Sequence, residues 1–398
     1  MITVEKATAV IQSTQRDFGV ETITLADSVG RVLRENVHAD RDFPPFDRVT
    51  MDGIAIDYQQ FASGRRTFSI AATAAAGAPQ TWLKDKTQAI EVMTGAMLPQ
   101  GADTIIRYED VTIEDGVATI QVDDIQQGQS IHPQGSDRKR GSKLIESGTR
   151  LSAAEIGVAA TVGMIKLKVS GLPKIAIIST GDELVEIHET PLPHQIRQSN
   201  SYQLQAALRQ QGIAAMRIHL PDKYETILKS LEQLLAENDI LIISGGVSKG
   251  KFDFLPKALQ ALQVREHFHR VSQRPGKPFW FGSTVEGKVV FALPGNPVSA
   301  FVGLHRYVMP WIVGSLQQTP LPVTLARLDT SIDFRPDLTY FPAVKCRYDE
   351  NGQLLATPFL GNTSGDLANL LAADGFLELP KGKERYEAGE VYRLFWFR

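Results

Sequence analysis

The chain reads as a multidomain α/β plus β protein with a central three-layer α/β/α domain, and three observations predict this. First, three apolar runs each end in a turn rich in glycine, serine or proline: Lys174-Ile-Ala-Ile-Ile-Ser-Thr-Gly-Asp-Glu183, Asp239-Ile-Leu-Ile-Ile-Ser-Gly-Gly-Val-Ser248 and Lys288-Val-Val-Phe-Ala-Leu-Pro-Gly-Asn-Pro-Val-Ser299. Continuous β-branched runs bounded by turn signals are how strands buried on both faces of a parallel sheet read. Second, strand and helix patterns alternate from Pro173 to about residue 315, which implies right-handed βαβ crossovers and helices on both faces. Third, the flanking stretches change to short alternating runs, as small β units do.

Taken in order, Ala7, Val10, Ile11 and Phe18 follow helical spacing, with Thr3 as the cap of a first amphipathic helix. After Asp42-Phe-Pro-Pro-Phe-Asp47, residues 67–74, 88–94, 103–113 and 117–122 read as strands of a small β unit, and Glu114-Asp115-Gly116 closes a tight hairpin. Ser152-Ala-Ala-Glu155 is a capping box ahead of an apolar face, and Gly163 ends that helix. In the central stretch, strands are expected at Ile175 to Ser179, near Met216, at Ile240 to Ser244 and at Val289 to Leu293. Helices are expected from about Asn200 to Gln211 and from Tyr224, Asp253 and Val298. Pro320 and Pro322 mark a junction, after which turns at Glu350-Asn-Gly352 and Lys381-Gly382 separate the short strands of a closing β domain.

A chain of 398 residues exceeds one ordinary core, and 43% hydrophobic with 22% charged residues is the balance of a globular protein. A net charge of -3 supplies no overall basic field, which argues against an extended nucleic-acid interface. One cysteine, Cys346, excludes an intramolecular disulfide and every Cys-based zinc pattern, and reads as an inert strand or core residue of a reducing compartment. The eight histidines contain no His-Glu-x-x-His, and His267 and His269 read as alternate positions of a strand. Glu5 and Lys6 stand where a signal peptide needs an apolar run, and no stretch reaches the roughly 18 apolar residues of a membrane helix. A cytoplasmic protein without membrane contact is expected.

Ligands of parallel sheets gather outside the carboxyl ends of the strands, so the three turns are expected to face one crevice. Glycine there admits an anion to the backbone N–H groups, which suits a phosphorylated or oxyanionic substrate. Asp182 and Glu183 are adjacent carboxylates at a strand end, able to hold a hard cation through oxygen while water fills other positions. Arg274 and Lys277 flank Pro275-Gly276, a turn that presents both cations on one side. The plainer alternatives stay open here: Asp182, Asp222 and Asp253 as helix caps, and the basic turn as a solvated one.

These turns and several loops outside the α/β stretch resemble the molybdopterin molybdenumtransferase family, the MoeA proteins and the E domain of gephyrin. The motifs that carry the likeness are Phe43-Pro-Pro-Phe-Asp-Arg-Val-Thr-Met-Asp-Gly-Ile-Ala55, Met93-Thr-Gly-Ala-Met-Leu-Pro-Gln-Gly-Ala-Asp103 and Arg107-Tyr-Glu-Asp110. It continues through Ser179-Thr-Gly-Asp-Glu-Leu184, Gln195-Ile-Arg-Gln-Ser-Asn200, Ser244-Gly-Gly-Val-Ser248, Arg274-Pro-Gly-Lys-Pro278 and Leu293-Pro-Gly-Asn-Pro-Val-Ser-Ala300. Its implication is a central domain of the molybdopterin-binding type (residues 172–318) and a C-terminal β-barrel-like domain (319–398). A small β domain (23–39 with 48–141) would be inserted into a discontinuous helical/β linker domain (1–22 with 40–47 and 142–171).

The resemblance further implies a homodimeric enzyme that takes adenylylated molybdopterin, places molybdate on its dithiolene sulfurs and releases AMP, with Mg2+ as the usual cation. The upstream molybdopterin adenylyltransferase would be its partner. Carried over by motif, Asp52, Thr94, Asp182, Glu183, Asp253 and Lys277 would be catalytic, with Asp182, Glu183 and Asp253 on the metal. Gly181, Ser244, Gly245, Gly246, Ser248, Arg274, Pro294, Gly295, Asn296, Pro297, Ser299, Ser364, Asp137 and Asp222 would bind substrate. Asp52 and Thr94 would complete the site on the partner subunit. Molybdate is a tetrahedral dianion, and the fixed charge of Arg274 and Lys277 suits it.

Some positions depart from the family pattern. Lys249 and Lys251 stand where an apolar and an acidic residue are more frequent, and His132 where arginine is. Arg335-Pro-Asp-Leu-Thr-Tyr-Phe-Pro342 lacks the usual spacing of arginine, aromatic and arginine, leaving Arg335 as the nearest candidate for a molybdate-binding arginine. Alternatives to the transferase are a gephyrin-like scaffold without catalysis and a metal-dependent dinucleotide pyrophosphatase. Tungstate is an open substitute for molybdate, since the two oxyanions share shape and charge.

Overall fold

The computed structural model describes residues 1–246, 254–359 and 365–398. They fall into two compact units, one of Met1–Arg34, Ser147–Ser152 and Lys166–Arg398, the other of Glu35–Glu146 and Ala153–Ile165.

In the first unit, the helix Val4–Gln12 opens as its spacing predicts, with the Thr3 side chain accepting the Lys6 N–H. Val20–Thr24 then pairs antiparallel with Lys166–Ser170, closing the long excursion between them. The strands Ile175–Thr180, Ile240–Ser244 and Val289–Leu293 are buried along their whole length and lie side by side and parallel. Met216–Leu220 adds a fourth parallel strand on the outer side of Ile175–Thr180. Pro278–Ser283 and Arg265–Arg270 extend the other edge antiparallel, giving a mixed six-stranded sheet.

Alternate residues explain the three layers. Ile175, Ile177, Ile240, Ile242, Val289 and Phe291 join one core with Leu204, Leu208 and Phe301 of the helices Asn200–Gln210 and Pro297–Gly303. Ala176, Ile178, Leu241, Ile243, Val290 and Ala292 join a second core with Leu231 and Leu259 of the helices Tyr224–Glu237 and Leu255–Ala261. A period of two along buried strands therefore feeds both faces.

The helix that begins at Pro297 passes through a π-helical turn, Leu304–Val308, into Met309–Ser315. Beyond it, Leu325–Leu328, Leu354–Phe359, Ala343–Tyr348, Gly375–Glu378 and Val391–Trp396 form a closed five-stranded barrel around Val344, Ala356, Leu377 and Leu394. Cys346 lies half-buried on one of these strands, and burial pushes its thiol up to about 11, far from a reactive thiolate.

The second unit is built on another six-stranded sheet, ordered Thr104–Arg107, Gly53–Ile56, Ala89–Val92, Thr67–Ala74, Val117–Ile120, Val111–Glu114. Its one parallel pairing joins Thr67–Ala74 to Ala89–Val92. Asp115 and Gly116, at φ 45° and 76°, make the hairpin that the sequence marks. Among the described residues no helix is long and apolar enough to cross a membrane.

Candidate active site

Because Ser179 pairs with Ser244 and Ser244 with Leu293, the three parallel strands end level, and the turns after them share one edge of the sheet. Gly245 and Gly246 adopt φ of 102° and 67°, and a Cβ on Gly245 would stand 2.8 Å from the Thr180 carbonyl oxygen. Only glycine lets this turn lie so close to the neighbouring strand. Gly181, at φ 139°, is covered by the folded-back Glu183 carboxylate. Asn200, the first residue of its helix, ties two turns together: its Nδ2 donates to Ser244 Oγ and to the Gly295 carbonyl oxygen, each at 2.7 Å. Asn200, Ser244, Gly245 and Gly295 line a crevice of about 400 Å³ with Ser179, Glu183, Asn296 and Pro297.

The chain does not enter a helix directly after Asp182. A loop containing the short parallel pair Leu184–Val185 and Ile196–Arg197 intervenes, so Asp182 is no helix cap. Its Oδ1 accepts the backbone N–H of Asp222 at 3.1 Å, and the helix from Tyr224 is entered through Lys223, not Asp222.

A second cleft, of about 470 Å³, is lined by Arg274, Pro275, Gly276 and Lys277 together with Pro294, Asn296, Ser299, Tyr340 and Phe341. Asn296 therefore borders both cavities. Arg274 and Lys277 are exposed, the Arg274 guanidinium lies 5.9 Å from the centre of the Phe334 ring, and its carbonyl oxygen accepts the Phe341 N–H at 2.8 Å. Arg335 is exposed and borders neither cleft.

In the second unit, Asp52 Oδ1 accepts both the N–H and the hydroxyl of Thr94. Asp137 accepts from His132 Nε2 at 2.9 Å, while His132 Nδ1 faces Arg48 Nη2 at 3.0 Å. A guanidinium can only donate, so Nδ1 is the acceptor and the ring proton sits on Nε2, toward Asp137. Tyr108 donates to Glu91 at 2.8 Å, and burial with that hydrogen bond pushes its phenol up to about 12.

Residues 2–163 match the family described as the MoeA N-terminal region (domain I and II), 176–313 a probable molybdopterin binding domain, and 326–393 the MoeA C-terminal region (domain IV). A molybdopterin molybdenumtransferase of Synechocystis is 42% identical over 398 residues, spanning 99% of this chain and 100% of that protein. The chain belongs to the molybdopterin molybdenumtransferase (MoeA) family. A molybdopterin molybdenumtransferase of Bacillus subtilis is 30% identical, over 100% of this chain and 94% of its own. The crystal structure of the molybdopterin biosynthesis MoeA protein from Pyrococcus horikoshii OT3 superposes with a TM-score of 0.83 at 27% identity, covering 100% of both chains.

Within this MoeA-family chain, the expected site residues gather in groups. Gly181, Glu183, Ser244, Gly245, Gly246, Gly295, Asn296 and Pro297 meet at the level strand ends, while Arg274, Lys277, Pro294 and Ser299 meet around the second cleft. Asp52 with Thr94, and Asp137 with His132, belong to the second unit. Ser248, Lys249, Lys251, Asp253 and Ser364 lie outside the described residues. Among the described residues no group of three His, Cys, Asp or Glu could hold a metal ion.

In the sequence Asn200 stands out only as the last residue of the motif Gln195-Ile-Arg-Gln-Ser-Asn200, not as a tie between two turns. The signal for Asn200 was available, since an amide beside a strand end can satisfy two turn groups at once.

Proposed function

We propose that this chain inserts molybdate into adenylylated molybdopterin, releasing AMP and leaving molybdenum on the pterin dithiolene. The observation that carries this reading is the sharing of Asn296 by two adjoining cavities of different chemistry, one floored by glycine turns at strand ends and one walled by Arg274 and Lys277. The common name of the relatives supports it. A pyrophosphate linkage and a molybdate dianion repel each other in water. Holding both in neighbouring pockets replaces that repulsion by positioning and by the fixed positive charge of Arg274 and Lys277.

Magnesium belongs to the proposal. Mg2+ keeps several waters and takes one or two carboxylates plus substrate phosphate oxygens, so Glu183, which lines the crevice, and Asp182, its exposed neighbour in the chain, are ligands of the right kind and number. Asp253 would be a third. When bound, the ion would offset charge on the pyrophosphate linkage. The same proposal includes a cytoplasmic homodimer in which Asp52 and Thr94 complete the partner subunit's site, with Asp137 beside the substrate. A molybdopterin adenylyltransferase would supply that substrate.

Purified protein mixed with adenylylated molybdopterin, magnesium and molybdate should release AMP and form the molybdenum-bearing cofactor in step. AMP released without molybdate, and without preference for the pterin, would mark a pyrophosphatase instead. The double variant Asp182→Asn, Glu183→Gln should melt like the wild type and lose metal-dependent AMP release. Unchanged turnover would remove both carboxylates from the site.

A further inference from the structure

Arg274 and Lys277 give the basic turn its charge, but two buried polar residues hold its carbonyl oxygens. We propose that Gln273 and Tyr307 are the positioning pair of this turn, aiming the peptide N–H groups of Gly276 and Lys277 at the cleft as a backbone nest for a tetrahedral oxyanion. The identity of that oxyanion as molybdate rests on the function proposed above.

Gln273 and Tyr307 are each 1% exposed. Gln273 Nε2 donates to the carbonyl oxygens of Pro275 at 3.1 Å and Gly276 at 3.4 Å, and Gln273 Oε1 accepts the Tyr307 hydroxyl at 2.5 Å. Chemistry settles the orientation of the amide: two carbonyl oxygens can only accept, so they face the NH2 group, and the remaining oxygen needs the phenol as donor. Tyr307 projects from the π-helical turn Leu304–Val308, a local widening of the kind that recurs at functional positions.

The Pro275–Gly276 and Gly276–Lys277 peptides are trans, and a planar trans peptide points its C=O and N–H in opposite directions. Drawing both carbonyls inward onto Gln273 therefore turns the N–H groups of Gly276 and Lys277 away from it. The turn from Arg274 to Lys277 lines the 470 Å³ cleft together with Gln273. Gly276 has φ 88°, and a Cβ there would lie 2.8 Å from Gln273 Nε2, so the amide's approach requires glycine. Successive N–H groups around a left-handed residue make an anion-binding concavity. Side-chain charge alone attracts any anion. Fixed N–H donors add a preference for a compact oxyanion over a diffuse one.

Gln273→Met and Tyr307→Phe remove hydrogen bonds without changing charge. Molybdate should be varied at saturating adenylylated molybdopterin and the reverse, with inorganic phosphate binding followed by calorimetry and folding by thermal melting. Loss of the paired hydrogen bonds should raise the molybdate KM about tenfold in Gln273→Met and about threefold in Tyr307→Phe. The KM for the pterin nucleotide should stay within about twofold, with phosphate affinity falling in step with that for molybdate. Tyr307→Phe, which loses one oxygen atom, carries the test alone if Gln273→Met does not fold. An unchanged molybdate KM in a natively melting variant overturns the proposal, as does an equal rise in both KM values, the mark of a packing defect. If the wild type turns over no molybdate but Gln273→Met still weakens phosphate binding, the positioning pair stands and the assigned reaction falls.

Discussion

The Asp52 carboxylate accepts two hydrogen bonds from Thr94, 42 residues further along the chain: the backbone N–H at 2.6 Å and the hydroxyl at 2.7 Å. Together they hold the Asp52 carboxyl below the ordinary carboxylate range, the backbone N–H contributing most. The pair shows how two residues chosen separately by motif form one acidic feature of the second unit.

Thr94→Val keeps the N–H and deletes the hydroxyl, so the Asp52 carboxyl should titrate part of the way back toward its ordinary value. A carboxyl depressed in the folded state contributes stability above an unfolded pKa of about 4 and loses it as pH falls through the folded value. The variant should therefore lose part of this acid-side contribution. Carbon-13 NMR titration of Asp52 measures the shift directly, and identical curves for wild type and variant would show that the hydroxyl does nothing.

Gly245 and Gly295 sit on facing turns, yet they should respond very unequally to an added methyl group. At Gly245, φ is 102° and the new Cβ would stand 2.8 Å from Thr180 O; at Gly295 the nearest atom is the Gly245 Cα, at 3.8 Å. Gly245→Ala should cost at least about 2 kcal/mol of backbone strain, whereas Gly295→Ala should cost less than about 1 kcal/mol. Urea unfolding followed through the buried Trp280 and Trp311 reports on this sheet. Equal midpoints for the two variants would contradict the close approach at Gly245.

The contrast between these turns also marks what the sequence makes legible. Runs such as Ile175–Thr180 announce themselves because both faces of the strand are covered, so apolarity is continuous and the following glycine is unmistakable. The level alignment of Ser179, Ser244 and Leu293 follows from parallel packing once those runs are recognised. The edge strand Arg265–Arg270 is harder to read, because charged and apolar residues mix where one side meets water. Barrel closure is harder still, since Leu325–Leu328 pairs with Leu354–Phe359 in the middle of its own domain and with Val391–Trp396 at its far end. Gln273 and Tyr307 carry no local signal at all: 34 residues separate them, and only the packed helix brings the phenol to the amide. Asp253 and Ser364 lie outside the described residues, so only the resemblance marks them.

His305, beside the positioning Tyr307, gives the fold an acid sensitivity that can be separated from catalysis. Its ring packs edge-on against Phe301 at 4.4 Å and near Phe397 at 6.0 Å, and its Nε2 is buried without a hydrogen-bond partner among the described residues. Burial pushes the imidazole down to about 4. An unfolded histidine titrates near about 6.5, so between that value and the folded one the unfolded chain binds a proton that the folded chain excludes. Stability from a neutral His305 is therefore complete above about pH 6.5 and is lost as pH falls toward the folded value. His305→Phe retains an aromatic ring and removes the titration, so its urea midpoint should fall less steeply from pH 7 to pH 4.5 than that of the wild type. Parallel declines in the two proteins would mean that acid acts elsewhere, and that the His305 ring is reached by protons without unfolding.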